Sequence, residues 1–190
     1  MKSLAMPSPA RASRQLDLGC GRHKVPGTLG VDRARLPGVD LVVDLDSVPY
    51  PFAANTFETV YCFHVLEHLT DWIAALREIN RILHPGGVIH VRVPYFASPT
   101  SFCDPTHKHF FAYETFDYFT PDGQTSFSTL NYYFPDLRFA VRKRLAFRRL
   151  HRTLGVSLAV NRFPRIYESA FCYLAPAHEL HVQLTSLKRA

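Results

Sequence analysis

The sequence predicts an α/β domain built on a largely parallel sheet, and three observations carry that prediction. Five short apolar runs bounded by turn residues fall between positions 15 and 93: QLDL, TLGVD, LVVDL, TVYCFHV and VIHVRV. Each is compatible with a buried strand of a parallel sheet. Between the last two runs lies DWIAALREINRILHPGG, where Ile73, Leu76, Ile79 and Leu83 recur at helical spacing and Arg77, Glu78 and Arg81 take the other side. Asp71 suits the N-cap and Pro85, Gly86 and Gly87 the stop. Strand, helix and strand in that order form a right-handed βαβ unit. Finally, 190 residues with 47% hydrophobic content fit one domain with a substantial core.

The elements follow in order. Residues 1–13 mix Pro, Ser, Ala and Arg without periodicity and read as a disordered lead-in, which leaves residues 14–190 as a single domain. The lead-in lacks the apolar core of a signal peptide, and no stretch approaches the roughly 18 apolar residues of a membrane span, so a cytoplasmic location and no membrane partner are expected. Residues 95–135 are rich in rings, among them Tyr95, Phe96, Phe102, Phe110, Phe111, Phe116, Phe119, Phe127 and Phe134. Two readings stand. The rings supply core around a short helix at 114–119, or they form a lid and substrate-binding wall over the strand ends. Beyond them, RFAVRKRLAF and HELHVQLTSL alternate as strands, with a helix between them around 165–174.

Charge and cysteines narrow the function classes. Cys20, Cys62, Cys103 and Cys172 are widely spaced, with no C-x-x-C pair, as suits ordinary thiols rather than a disulfide framework or a structural zinc site. The net charge of +6 is local: Arg138, Arg142, Lys143, Arg144, Arg148, Arg149 and Arg152 crowd one stretch. There Phe139, Val141, Leu145 and Phe147 alternate with Ala140, Arg142, Arg144 and Arg148. The basic side is either a solvated strand face or a surface for an acidic substrate or RNA, whose affinity falls steeply with salt.

The segment LDLGCGRHKVPGTLGVD carries the first chemistry. Gly19 and Gly21 let the chain turn sharply at a strand's carboxyl end and approach a nucleotide-like ligand closely. It is not a dinucleotide fingerprint, because Lys24 stands where the third glycine belongs, and no G-K-[ST] follows as in a P-loop. Asp17, Asp32 and Asp44 each end one of three successive strands, so they line one crevice. A carboxylate after the second strand accepts both hydroxyls of an unphosphorylated ribose.

With those pieces in place the sequence resembles the class I S-adenosylmethionine-dependent methyltransferases, in particular the small UbiE-like group. The matching pieces are LDLGCG, GVD, VVDLDSVPYPFAANTFETVYCFHVLEHL, REINRILHPGG and VIHVRVP, over residues 15–94 in the family's order. The resemblance implies a Rossmann-like doubly wound sheet of about seven strands, mostly parallel, with HELHVQLTSL as an antiparallel last strand. It implies S-adenosylmethionine as cofactor and S-adenosylhomocysteine as product. Asp17, Gly19, Cys20 and Gly21 would cradle the methionine portion, Asp32 the ribose, and Asp44 and Leu45 the adenine edge. His64 would border the sulfonium. The family's first helix has no room here, since only residues 19–27 are available and they include Pro26; a crossover with its helix needs about 10 to 12 residues or more. That helix is therefore shortened or absent, and Arg22 or Lys24 replaces its terminus as partner of the cofactor's carboxylate.

Methyl transfer needs positioning and removal of a proton from the nucleophile. DPTHKHFF places three candidates after the fifth strand: His107 as general base, Asp104 as its orienting partner and His109 as substitute. Each histidine has the alternative of an ordinary loop residue, and His64 and His68 of cofactor wall and helix packing. As metal ligands, Asp104, His107 and His109 lack a further carboxylate, so no metal is expected. The acceptor read from the sequence is an oxygen, or a nitrogen, of a small molecule. FHVLEH lacks the [DN]-P-P-[FY] motif of amino-directed nucleic-acid enzymes, so nucleic acid is disfavoured. An RNA or protein methyltransferase using residues 138–152, and a non-catalytic cofactor-binding subunit, are the alternatives. An oligomer is compatible with the exposed rings.

Overall fold

The computed structural model describes residues 14–121, 132–148 and 155–189. The expected lead-in at 1–13, and Phe127, Arg149 and Arg152, lie outside the described residues. Seven strands form one sheet: β1 (Gln15–Leu18), β2 (Leu29–Asp32), β3 (Leu41–Val42), β4 (Phe57–Phe63), β5 (Leu83–Pro94), β6 (Phe139–Ala146) and β7 (Glu179–Ser186), in the order β3-β2-β1-β4-β5-β7-β6. All neighbours are parallel except β7, which runs antiparallel to both β5 and β6. The α/β class and the antiparallel last strand agree with the sequence-based expectation.

The helix of the βαβ unit is α1 (Trp72–Ile82). The Asp71 side chain accepts from the Ala74 amide at 2.9 Å, the N-cap bond its residue type favours. The helix stops before the Pro-Gly-Gly turn, since Leu83 already belongs to β5 and its side chain is fully buried. Lys188 donates to the carbonyls of Asn80, Arg81 and Leu83, so a cation satisfies the last helical acceptors where the dipole favours it. After β5 come α2 (Thr100–Cys103), a 3-10 helix (Thr115–Phe119), α3 (Val156–Arg162) and α4 (Pro164–Ala170).

Side chains alternate across the sheet, and the two faces differ. Val60, Ile89, Leu184 and Val141 form one row on the inner face; Cys62, Val91, Val182 and Lys143 form the next. Trp72 of α1 packs edge-on to Phe111, Phe116 and Phe119 over that face. Most rings of the 95–121 stretch are therefore core, with Tyr95, Phe111, Phe116 and Phe119 all 0–1% exposed. Phe102 and Phe110 are the exception, exposed and stacked on each other at 4.8 Å. On the outer face, Tyr61, His90, Gln183 and Arg142 form one row and Phe63, Arg92, His181 and Arg144 the next.

No helix connects β1 to β2, β2 to β3 or β3 to β4. The first of these gaps confirms the missing helix read from residues 19–27. Together they remove the second helical layer of a doubly wound sheet, and the described helices leave the outer face open. A crossover without room for a helix cannot bury apolar side chains, which is why the outer rows are polar, basic and aromatic.

Candidate active site

The chain leaves β1 toward β2 on one side, and β4 continues on the other side, so the loops after β1 and β4 part and open a crevice at their carboxyl ends. Gly19, Asp32, Asp44, Leu45 and His64, all singled out in the sequence, line it. Gly19 has φ +64, and a Cβ there would lie 2.4 Å from Cγ2 of Val65, so only glycine lets the β1 turn pass the β4 loop. Asp32 accepts from the amides of Gly21 and Ala34, both at 2.9 Å. These bonds fix the plane of its carboxylate and leave a further lone pair on each oxygen. Asp44 accepts from the Asp46 amide and the Ser47 hydroxyl, both at 3.1 Å, while Leu45 is anchored by Tyr50, whose hydroxyl donates to its carbonyl at 3.0 Å.

His64 sits at φ +56 between two carboxylates, 3.3 Å from Glu179 through Nε2 and 3.3 Å from Glu67 through Nδ1. Glu179 first, then Glu67, pushes its pKa up to about 9. His181 and His64 in turn hold Glu179 well below the usual carboxylate range.

Other expected residues fall away from the crevice. Asp17 is buried and accepts from the Val25 amide at 2.8 Å, so it pins the helix-free loop from beneath; burial raises its pKa. The Cys20 thiol is also buried, and burial, followed by Asp17, pushes it up to about 11, leaving it unreactive. Lys24 is engaged by Asp40 at 2.8 Å, and the same Asp40 oxygen accepts from the Gly30 amide at 2.7 Å. Its ammonium thus fastens the loop to the chain after β2. Of the two basic candidates only Arg22 stays exposed and without a partner among the described residues.

The 104–110 loop docks beside β4 because the amides of Lys108 and His109 both donate to the Glu67 carbonyl, at 2.7 and 3.3 Å. The expected pair of Asp104 with His107 does not form. Asp104 is exposed and accepts from the Thr106 hydroxyl at 2.6 Å and its amide at 2.8 Å, which lowers its pKa. His107 instead donates from Nδ1 to the Ser101 carbonyl at 3.0 Å, and His109 donates from Nε2 to the Leu69 carbonyl at 2.9 Å. Having given its proton to Asp104, the Thr106 hydroxyl accepts from Nδ1 of His68 at 2.9 Å. Asp104 therefore orients His68, not His107, and His68 and Thr106 are the members of this group that line the crevice. Sequence reasoning passed over Glu67 and Asp46, and read His68 only as cofactor wall or helix packing. Asp46 accepts from the Thr70 amide at 2.6 Å and fixes the turn into α1; its position two residues beyond Asp44 was the available signal.

The crevice suits a nucleoside-bearing sulfonium cofactor on this structure's own terms. Gly19 brings backbone to the crevice wall, Asp32 offers two oriented acceptors, and Leu45, Val65 and Leu69 supply apolar wall. Three larger cavities, about 310, 450 and 270 Å³, lie on the outer sheet face, beside the 3-10 helix and among the side chains of α3 and α4, away from the strand ends where ligands of such sheets bind.

Comparison with known proteins agrees. The profile of the methyltransferase domain family matches residues 2–186. The chain belongs to that family. Over 80 residues it is 34% identical to cycloartenol-C-24-methyltransferase of Arabidopsis thaliana, a match spanning 40% of this chain and 24% of the plant protein's length. Its fold is similar to a SAM-dependent methyltransferase from Archaeoglobus fulgidus, with TM-score 0.61, 20% identity and coverage of 93% of this chain and 87% of the other. It is also similar to an S-adenosylmethionine-dependent methyltransferase from Mesorhizobium loti, with TM-score 0.54, 16% identity and 90% of both chains covered. Among the described residues no helix is long and apolar enough to cross a membrane.

Proposed function

We propose that the domain methylates an oxygen nucleophile of a small molecule, with the acceptor entering the crevice on the side of His68 and Thr106. The observation that carries this reading is the division of one crevice into two chemistries: carboxylates and apolar wall at the ends of β1 to β3, and imidazole beyond β4. When bound, the cofactor supplies an electrophilic methyl group on a sulfonium. Asp32 holds the ribose hydroxyls, Leu45 and Asp44 border the base, and Arg22 reaches the carboxylate. At the other end His68, its Nδ1 proton held by Thr106, borders the space for the acceptor. His107, first read as the base, stands beside His68 with ring centroids 4.7 Å apart and does not itself line the crevice.

Calorimetric titration with S-adenosylmethionine and S-adenosylhomocysteine tests the cofactor half. Both bind wild type, and Asp32→Ala weakens binding at least about tenfold, or 1.4 kcal/mol, with an unchanged circular dichroism spectrum. Absence of binding to wild type overturns the reading. A cofactor-consumption screen over hydroxylated and aminated metabolites then decides the acceptor; turnover of amines alone rejects oxygen.

A further inference from the structure

Among the described residues, Glu67 is the fully buried acid with both carboxylate oxygens left without a hydrogen bond. Oε1 has only an ion-pair contact, His64 Nδ1 at 3.3 Å, and His64 divides its single positive charge between Glu67 and Glu179. A buried carboxylate left in this state costs several kcal/mol unless something else meets it. One ligand atom each from Glu67, His68 and His107 lies within 4.8 Å of the other two.

The hydrogen bonds around this trio set both rings for ligation. A carbonyl only accepts, so Ser101 fixes the proton of His107 on Nδ1; the Asp104 to Thr106 chain fixes that of His68 on Nδ1. Both Nε2 lone pairs remain. Outward Nδ1–H bonds to a carbonyl or a carboxylate-backed hydroxyl are how metal-binding histidines are held.

We propose that Glu67, His68 and His107 bind one divalent transition-metal ion of the zinc class, whose open coordination position faces the crevice and takes the oxygen of a hydroxyl-bearing acceptor. This deepens the methyltransferase reading and rests on it for the acceptor. Two imidazoles and a carboxylate are borderline ligands that suit Zn²⁺, Fe²⁺ or Co²⁺ better than Mg²⁺ or Ca²⁺, and three protein ligands leave a position open. A tetrahedral ion with ligand bonds of about 2.0–2.1 Å sets its ligands roughly 3.4 Å apart, so side-chain rotations of about 1 Å close the set. Sequence spacing alone hid the site. The carboxylate that DPTHKHFF lacked comes from the β4 side, and the backbone bonds of Lys108 and His109 to Glu67 bring the two segments together.

The test is metal binding to the untagged full-length protein, stripped with chelator and dialysed against Zn²⁺ or Co²⁺. One equivalent is retained, and Co²⁺ gives visible d–d absorption of a low-symmetry site. His68→Ala and His107→Ala each weaken binding at least tenfold, whereas His84→Ala, a histidine outside the site, does not. Glu67→Gln should match them if it folds; the histidine variants decide the matter if it does not. Failure to retain a stoichiometric ion, or retention unchanged in both histidine variants, overturns the site. S-adenosylmethionine binding to wild type, measured separately, keeps the two readings apart: cofactor binding without metal rejects the ion and leaves the methyltransferase.

Discussion

Arg142, Lys143 and Arg144 are consecutive in one strand, yet they live in different solvents. The two arginines are exposed on the outer face, whereas Lys143 points into the core, only 9% of its side chain exposed, and pairs there with the buried Asp117. Its ammonium also lies 4.2 Å from the centre of the Tyr113 ring. Burial lowers the pKa of Lys143 and raises that of Asp117, so in both partners desolvation outweighs the pairing. On the outer face Arg92 lies over Phe63 at 4.2 Å and Arg144 donates to His181 at 3.2 Å, contacts that need no desolvation. The comparison teaches that chain length between strands, more than strand composition, decides which face becomes core. The connections among the first four strands carry no helix, so one face receives the aromatic layer and the other stays in water.

If stability is concentrated on the covered face, its rings must show it. Phe116 is fully buried and stacks on Phe111 at 5.6 Å beside Trp72. Phe116→Ala should cost about 3–5 kcal/mol, since the cavity it leaves cannot collapse between two other rings. A thermal scan should register a fall of roughly 10 °C. A fall under 3 °C would mean that the aromatic layer is not the core.

The buried pair comes next in size. Lys143→Met leaves Asp117 buried without its partner, and denaturant unfolding should show a loss of about 3 kcal/mol. The double substitution Asp117→Leu with Lys143→Met removes both charges and should recover most of that loss. If the double variant is no better than the single, the pair contributes net stability and the two faces differ less than their solvation suggests.

What the sequence disclosed follows the same division. The strands were legible because apolar runs punctuated by turn residues are local, and so was the missing helix, since residues 19–27 cannot hold one. The place of Asp32 in the crevice was legible because it follows from standing at the end of β2. Lys24 was misjudged because its partner Asp40 follows a turn that no local rule fixes. Glu67, His68 and His107 were illegible as a group, since their meeting depends on a loop some 40 residues downstream hydrogen-bonding to the Glu67 carbonyl.

The smallest effect is the most direct probe of the open face. Replacing Arg142 and Arg144 together by Ala should change stability by no more than about 0.5 kcal/mol, because neither side chain gives up burial and solvated charges contribute little. The same variant should bind S-adenosylmethionine as wild type does, since neither arginine lines the strand-end crevice. A loss above 1 kcal/mol in the full-length protein would show that another part of the chain rests on these arginines. Salt then separates a layer held by charge from one held by apolar contact: the loss shrinks with ionic strength in the first case and persists in the second.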